Sequence, residues 1–229
     1  MKLVLFDIDG TILWTDGAGR RAIHTALREA FGGIGPADYW FDGKTDRQIV
    51  RELMRHEGHA DAQIDARMDA LLRRYVELLE REVRDSAHAA RLLPGVAPLL
   101  DALERRDDVL LGLLTGNLVE GARVKLAAVG IDFDRFAVGA FGSDHEERPE
   151  LPAIAQRRGA ERIGAEIPGG DVWVVGDTPA DLTCGRAIGA RAIGVATGRY
   201  SVADLEAHAP AAVFETLEDT DRVLEVILG

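Results

Sequence analysis

Five short apolar runs punctuate the chain, at Leu3–Phe6, Val109–Leu114, Phe136–Ala140, Val172–Val175 and Ala192–Val195, and each is followed by Gly, Asp or Thr. They lack the strict alternation of a strand with one wet face, which predicts strands buried on both faces of a parallel sheet. Helical periods lie between them. Val96–Arg105 opens with Pro94-Gly95, and Leu118–Val129 closes at Gly130. Ala180–Ile188 has Thr178 as N-cap, Pro179 in its first turn and Gly189 as its stop, and Leu217–Leu228 is a further amphipathic stretch. Strand alternating with helix predicts an α/β fold with a doubly wound, Rossmann-like parallel sheet.

One stretch breaks this rhythm. Between Thr15 and Ala90 no strand pattern occurs; three helical patterns, Ala18–Phe31, Thr45–His56 and Asp61–Val83, fill it, the first two joined by GGIGPADYWFDG. The expected organisation is therefore a discontinuous core of residues 1–14 and 87–229 with a helical cap, residues 15–86, inserted after the first strand.

Composition narrows the function classes. Of 229 residues 47% are hydrophobic and 29% charged, as in ordinary globular proteins, and the net charge of -12 argues against binding nucleic acid or an acidic membrane face. A small anion stays possible as ligand, because a bound divalent cation reverses the local field. Cys184 stands alone, which excludes an intramolecular disulfide and speaks against a cysteine-based zinc site. The opening apolar run is too short for a signal-peptide core and no 18-residue apolar span occurs, so a cytoplasmic location is expected, with the chain a monomer or homodimer.

In open α/β sheets ligands gather at the carboxyl ends of strands. There this sequence places Asp7, Asp9, Gly10 and Thr11; Thr115, Gly116 and Asn117; Ser143, Asp144 and Arg148; and Asp177, Thr178 and Asp181. Residues two apart on an extended segment face one side, so Asp7 and Asp9 can converge on one reacting atom. Unequal surroundings would then let one attack as the anion while the other carries a proton. The competing reading of the same residues is a strand ending in an ordinary Asp-Gly turn. Thr115-Gly116-Asn117 precedes a helix, where free amides bind anions or where Thr and Asn merely cap. Asp177 suits a hard divalent cation such as Mg²⁺; Asp181, a turn later, is a closer or more distant ligand or a simple first-turn carboxylate. Arg148 and Lys125 compete as the cation that gathers phosphate oxygens, and spacing does not choose between them. His56, His59 and His145 read as surface residues, and Trp14 and Trp173 as packing aromatics.

Taken together, the order and spacing of these groups resemble the haloacid dehalogenase-like hydrolase superfamily, and within it the phosphoglycolate-phosphatase-like members with a helical cap. The resemblance rests on FDIDGTIL (Phe6 to Leu13), LLTGN ending at Asn117, and VVGDTPAD (Val174 to Asp181), and it spans essentially the whole chain. It implies that Asp7 is the nucleophile, that Asp9 is the general acid and base, and that Thr115 binds a phosphoryl oxygen. It further implies that Asp7, the backbone carbonyl of Asp9 and Asp177 hold Mg²⁺ with support from Asp181. Gly10, Thr11, Gly116 and Asn117 would surround the phosphate. The family usually has Lys-Pro before its last motif; this chain has Arg148-Pro149, and the role passes to Arg148. FDGKTDRQ (Phe41 to Gln48) resembles the segment of the cap that selects substrate, with Gly43 and Lys44 as its contacts. The implied activity is Mg²⁺-dependent hydrolysis of a small phosphorylated metabolite. A phosphomutase of the β-phosphoglucomutase type is the alternative; a carbon–halogen hydrolase is disfavoured by Asp9, and a non-catalytic binding protein by the intact acids.

Overall fold

The computed structural model describes residues 1–85 and 89–229. In chain order its elements are β1 (Lys2–Phe6), β2 (Leu13–Trp14), α1 (Ala18–Phe31), α2 (Asp46–His56), α3 (Asp61–Asp85), β3 (Arg91–Leu92) and α4 (Val96–Glu104). There follow β4 (Val109–Thr115), α5 (Val119–Ala128), β5 (Val138–Phe141), α6 (Leu151–Ile163), β6 (Val172–Gly176), α7 (Pro179–Cys184), β7 (Arg191–Val195), α8 (Val202–Glu206), β8 (Ala212–Phe214) and α9 (Thr220–Leu228).

Six strands form one parallel sheet in the order β5-β4-β1-β6-β7-β8. Strand β1 lies inside it, with Leu3 opposite Leu110 on one side and Val172 on the other. Its residues alternate between two cores, which explains the unbroken apolar run. Val4 and Phe6 join Leu99, Leu103, Leu126, Val223 and Ile227 on one face; Leu3 and Leu5 join Leu151, Ala155 and Cys184 on the other. From β1 the chain builds β4 and β5 on one side, then crosses back to lay β6 on the other. The carboxyl ends of β4, β1 and β6 therefore meet where the winding reverses, the usual place for a ligand crevice.

Helices α1, α2 and α3 have a cluster of their own, built on Ile23, Leu27, Leu53, Met54, Leu72 and Leu79. Leu118, at the start of α5, is buried in the same cluster, and Val124 and Ala128 pack against it. Strands β2 and β3 pair antiparallel, so the chain leaving for the helices and the chain returning from them run side by side.

The structure departs from the sequence reading in several places. The third strand starts at Val138, after a 3-10 turn at Phe133–Arg135, and the helix expected through Ile188 ends at Cys184 and continues as a 3-10 turn, Gly185–Ile188. The last helix begins at Thr220, where the Asp219 side chain accepts from the Arg222 amide. Helices α6 and α8, strand β8 and the β2-β3 ribbon were not expected. The expected return from cap to core, between residues 86 and 87, lies outside the described residues.

Candidate active site

Beyond β1 the backbone coils tightly. The amides of Ile12 and Leu13 both donate to the carbonyl of Ile8, at 2.9 and 3.0 Å, and Gly10 takes a φ of 82°. A Cβ at Gly10 would collide with the Asp177 carboxylate, so glycine is required here twice over, by φ and by space. The amide of Asp7 donates to Val175 O (2.9 Å), which continues the β1-β6 ladder into the crevice and leaves Asp7 buried. Asp9 is more open.

The neighbouring strand ends place their groups around these two acids. From β4, Asn117 Nδ2 donates to Thr115 Oγ1 and to Asp9 Oδ2, each at 2.8 Å. From β6, Thr178 caps α7: Asp181 Oδ2 accepts from the Thr178 amide (3.0 Å) and hydroxyl (2.7 Å), and this reciprocal box fixes the first turn. Arg148, in a 3-10 turn at Arg148–Glu150, reaches inward. Its Nη2 lies 3.2 Å from Asp7 Oδ1 and donates to Asp181 Oδ1, while its buried Nε has no partner among the described residues.

Charge in this crevice is unbalanced. Carboxylate oxygens of Asp7, Asp177 and Asp181 all lie within 4.8 Å of one another, and one guanidinium, Arg148, sits among them. Burial pushes the Asp7 carboxyl up to about 7 against the pull of Arg148, with Asp181 and Asp9 adding to the rise. Burial, then Asp181 and Asp7, raises Asp177 well above the carboxylate range. Arg148 is held charged by Asp181 and Asp7 although burial works against it. A hard oxygen-only donor set with surplus negative charge fits a divalent cation. Of these three acids, Asp7 and Asp177 line the cavity. Asp181, expected beside the metal, has Oδ1 accepting from Arg148 and Oδ2 from Thr178.

The cavity has a volume of about 210 Å³. Of the residues expected at the site, Asp7, Asp9, Thr115, Gly116, Asn117, Arg148 and Asp177 line it from the sheet, and Gly43 and Lys44 from the helical side. Gly10, Thr11 and Asp181 do not. Thr11, fully buried, donates to Asp177 Oδ1 (3.2 Å), and the Gly10 carbonyl accepts from Thr197 Oγ1 (2.6 Å), so both brace the wall from behind. Lys44 is already engaged, its Nζ 2.6 Å from both Glu52 Oε2 and Tyr39 Oη. Lys125 does not compete with Arg148, because it lies 2.6 Å from Asp9 Oδ2. Trp14, read as a packing residue, is exposed on the cavity wall, whereas Trp173 is in the core as expected.

Arg20 and Asp46, also on the wall, were missed. Arg20 is masked in sequence by the neighbouring Arg21, which faces outward to Glu82. Asp46 looks like any first-turn helix acid, yet it ties the helical layer to the sheet. Its amide donates to Gly116 O and its Oδ2 accepts from the Leu118 amide, both at 2.8 Å. A Cβ at Gly116 would strike the Lys44 carbonyl, so this glycine admits the α2 loop against the β4 end. Thr45 Oγ1 donates to Glu146 O (2.6 Å) and Arg51 Nε to Glu146 Oε1 (2.5 Å) along the same seam.

Known proteins share this arrangement of chain. The protein named "Probable phosphatase IndB" from Dickeya dadantii (strain 3937) is 28% identical over 99% of this chain and 94% of its own length. The phosphoglycolate phosphatase of Synechococcus elongatus is 25% identical over 96% and 95%. Among solved structures, a hydrolase from Pseudomonas syringae superposes with a TM-score of 0.73 over all of both chains at 23% identity, a likeness of fold. Residues 1–189 match the haloacid dehalogenase-like hydrolase family, which takes in the acids at the ends of β1 and β6, the β4 Thr-Gly-Asn and the inserted helices. With the sheet order and the crevice built as described, the chain belongs to the haloacid dehalogenase-like hydrolases.

Proposed function

We propose that this enzyme hydrolyses a small phosphate monoester through a phosphoryl group carried on Asp7. The observation that carries the reading is the pairing of two acids with separate supports. Asp7 is buried and held by Arg148, while Asp9, two residues on, is held by Asn117 and Lys125, and both face one cavity. The names of the curated relatives support the class of substrate.

On this reading Arg148 and Thr115, both on the cavity wall, bind and orient the phosphoryl oxygens. A carboxylate oxygen of Asp7 attacks phosphorus in line as the bond to the ester oxygen breaks, and Asp9 gives that oxygen a proton. Asp9 then takes a proton from water as the water oxygen attacks phosphorus. The acyl-phosphate bond breaks and Asp7 returns to its carboxylate. Asp7, Asp177 and the backbone carbonyl of Asp9 would hold Mg²⁺, which when bound offsets the negative charge that the acids and the phosphate bring together. The cap closes over the crevice and excludes water during the first transfer.

Phosphate release from a panel of monoesters with Mg²⁺ present tests this. Wild type should turn over members of the panel, and Asp7→Asn should lose about a thousandfold or more in kcat while its fold is retained. Turnover by Asp7→Asn at the wild-type rate would remove the nucleophile from the scheme. Transfer of the phosphoryl group to a sugar phosphate in preference to water would move the enzyme to the mutase class.

A further inference from the structure

The ammonium group of Lys125 lies 2.6 Å from Asp9 Oδ2 and 2.7 Å from Asn117 Oδ1, with the side chain almost fully buried. Lys125 projects from α5, a core helix, where its neighbour Leu126 simply packs. A buried lysine is costly unless its donors and charge are matched, so it is kept for what it holds. Space is made for it from the opposite side: at Gly19 on α1 a Cβ would lie 3.4 Å from Lys125 Nζ, and any longer side chain there would contest the position.

The contacts fall on one oxygen. Lys125 and Asn117 both donate to Asp9 Oδ2, and Asn117 is itself oriented by giving its amide hydrogens to Thr115 and Asp9 while its carbonyl receives Lys125. Asp9 Oδ1 has no hydrogen-bond donor among the described residues. A carboxyl group with two donors fixed on one oxygen can carry its proton only on the other, and its rotation is stopped.

We propose that Lys125 is a positioning residue which, with Asn117, locks the Asp9 carboxyl so that Oδ1 alone delivers and collects the proton. This rests on the phosphatase reading above, in which Asp9 serves the leaving oxygen. Lys125 does not touch the phosphoryl group; Arg148 does that. The lysine acts at the stage where the leaving group needs a proton.

The discriminating readout is leaving-group dependence. The value of kcat/KM reports only the steps up to the first transfer, and a nitrophenyl ester leaves without help from an acid whereas an alkyl ester does not. In Lys125→Met, kcat/KM for alkyl phosphates should fall about tenfold or more, with the nitrophenyl ester within about threefold of wild type. Added to Asp9→Asn, the same change should cost nothing further on alkyl esters, since the group it positions has gone. Lys125→Gln, which keeps a donor, should lie between, and it carries the test if the methionine variant does not fold. Equal losses on both ester types, or full additivity with Asp9→Asn, would assign Lys125 a general structural role and overturn the proposal. So would wild-type kinetics. A wild type inactive on every ester would instead strike the phosphatase reading and take this inference with it.

Discussion

Arg148 concentrates the energetics of the crevice in one side chain. It is buried between Asp7 and Asp181, and it is the cation that offsets them. Removing one partner of a buried ionic group strands the others, at a cost of about 3–5 kcal/mol. Arg148→Met should therefore lower the unfolding free energy by about that much in denaturant titrations, as well as stopping turnover. Adding Asp181→Asn, which withdraws one stranded charge, should restore part of the loss; a double variant no more stable than Arg148→Met would show the acids were not the source. The sequence names Arg148 by its place before Pro149, and it leaves Lys125 as a rival. What spacing along a chain cannot convey is which carboxylate a long cationic side chain reaches, and here two cations reach two different acids.

At the scale of elements, the seam between α2 and the β4-α5 turn is held by an acid whose ionisation is strained. Burial pushes the Asp46 carboxyl from 3.8 up to about 6, against the favourable pull of Lys125 and the Leu118 amide. A carboxyl raised on folding favours the protonated fold. Its contribution is full below pH 3.8 and is lost as pH rises through about 6. At ~1.4 kcal/mol per unit, the stability of wild type relative to Asp46→Asn should drop by a few kcal/mol between pH 4 and pH 7. Parallel stability curves would mean that Asp46 does not titrate in the fold. The elements that were legible are those whose residues are buried in a regular rhythm: β1, β4, β6, β7, α4, α5 and the three inserted helices. Helix α6 was hidden by Gly159, where a side chain would crowd Ile167 and Leu3, so tight packing on the sheet interrupts the amphipathic pattern. Strand β8 is three half-buried residues at the sheet edge, and β2 and β3 are two residues each, too short for any period to show.

For the whole molecule the surplus of negative charge at the crevice links metal to stability. A divalent cation that binds the folded chain and not the unfolded one stabilises it by mass action, by about 2.7 kcal/mol at a hundred times its dissociation constant. Thermal melts at pH 8 should rise with added Mg²⁺ and return on chelation, and the rise should be much reduced in Asp177→Asn. A wild-type melt indifferent to Mg²⁺, Mn²⁺ and Ca²⁺ would leave the acids without a cation to hold. The general plan of sheet, insertion and crevice could be read from the chain alone because motif residues and buried strands coincide. The cavity wall supplied by the helices could be read only in part: the sequence names Gly43 and Lys44, whereas Arg20 and Asp46 join Asp7 in the lining only once the insertion folds back over the sheet.

Leu118 carries a consequence for anyone wishing to re-engineer the enzyme. It belongs by sequence to the sheet half yet is buried among the inserted helices, with Val124 and Ala128 alongside. A set of helices taken from a relative and spliced in for α1, α2 and α3 would inherit a landing surface shaped for a different tenant. Chimeras of this kind should need those three positions exchanged along with the graft before the new helices pack.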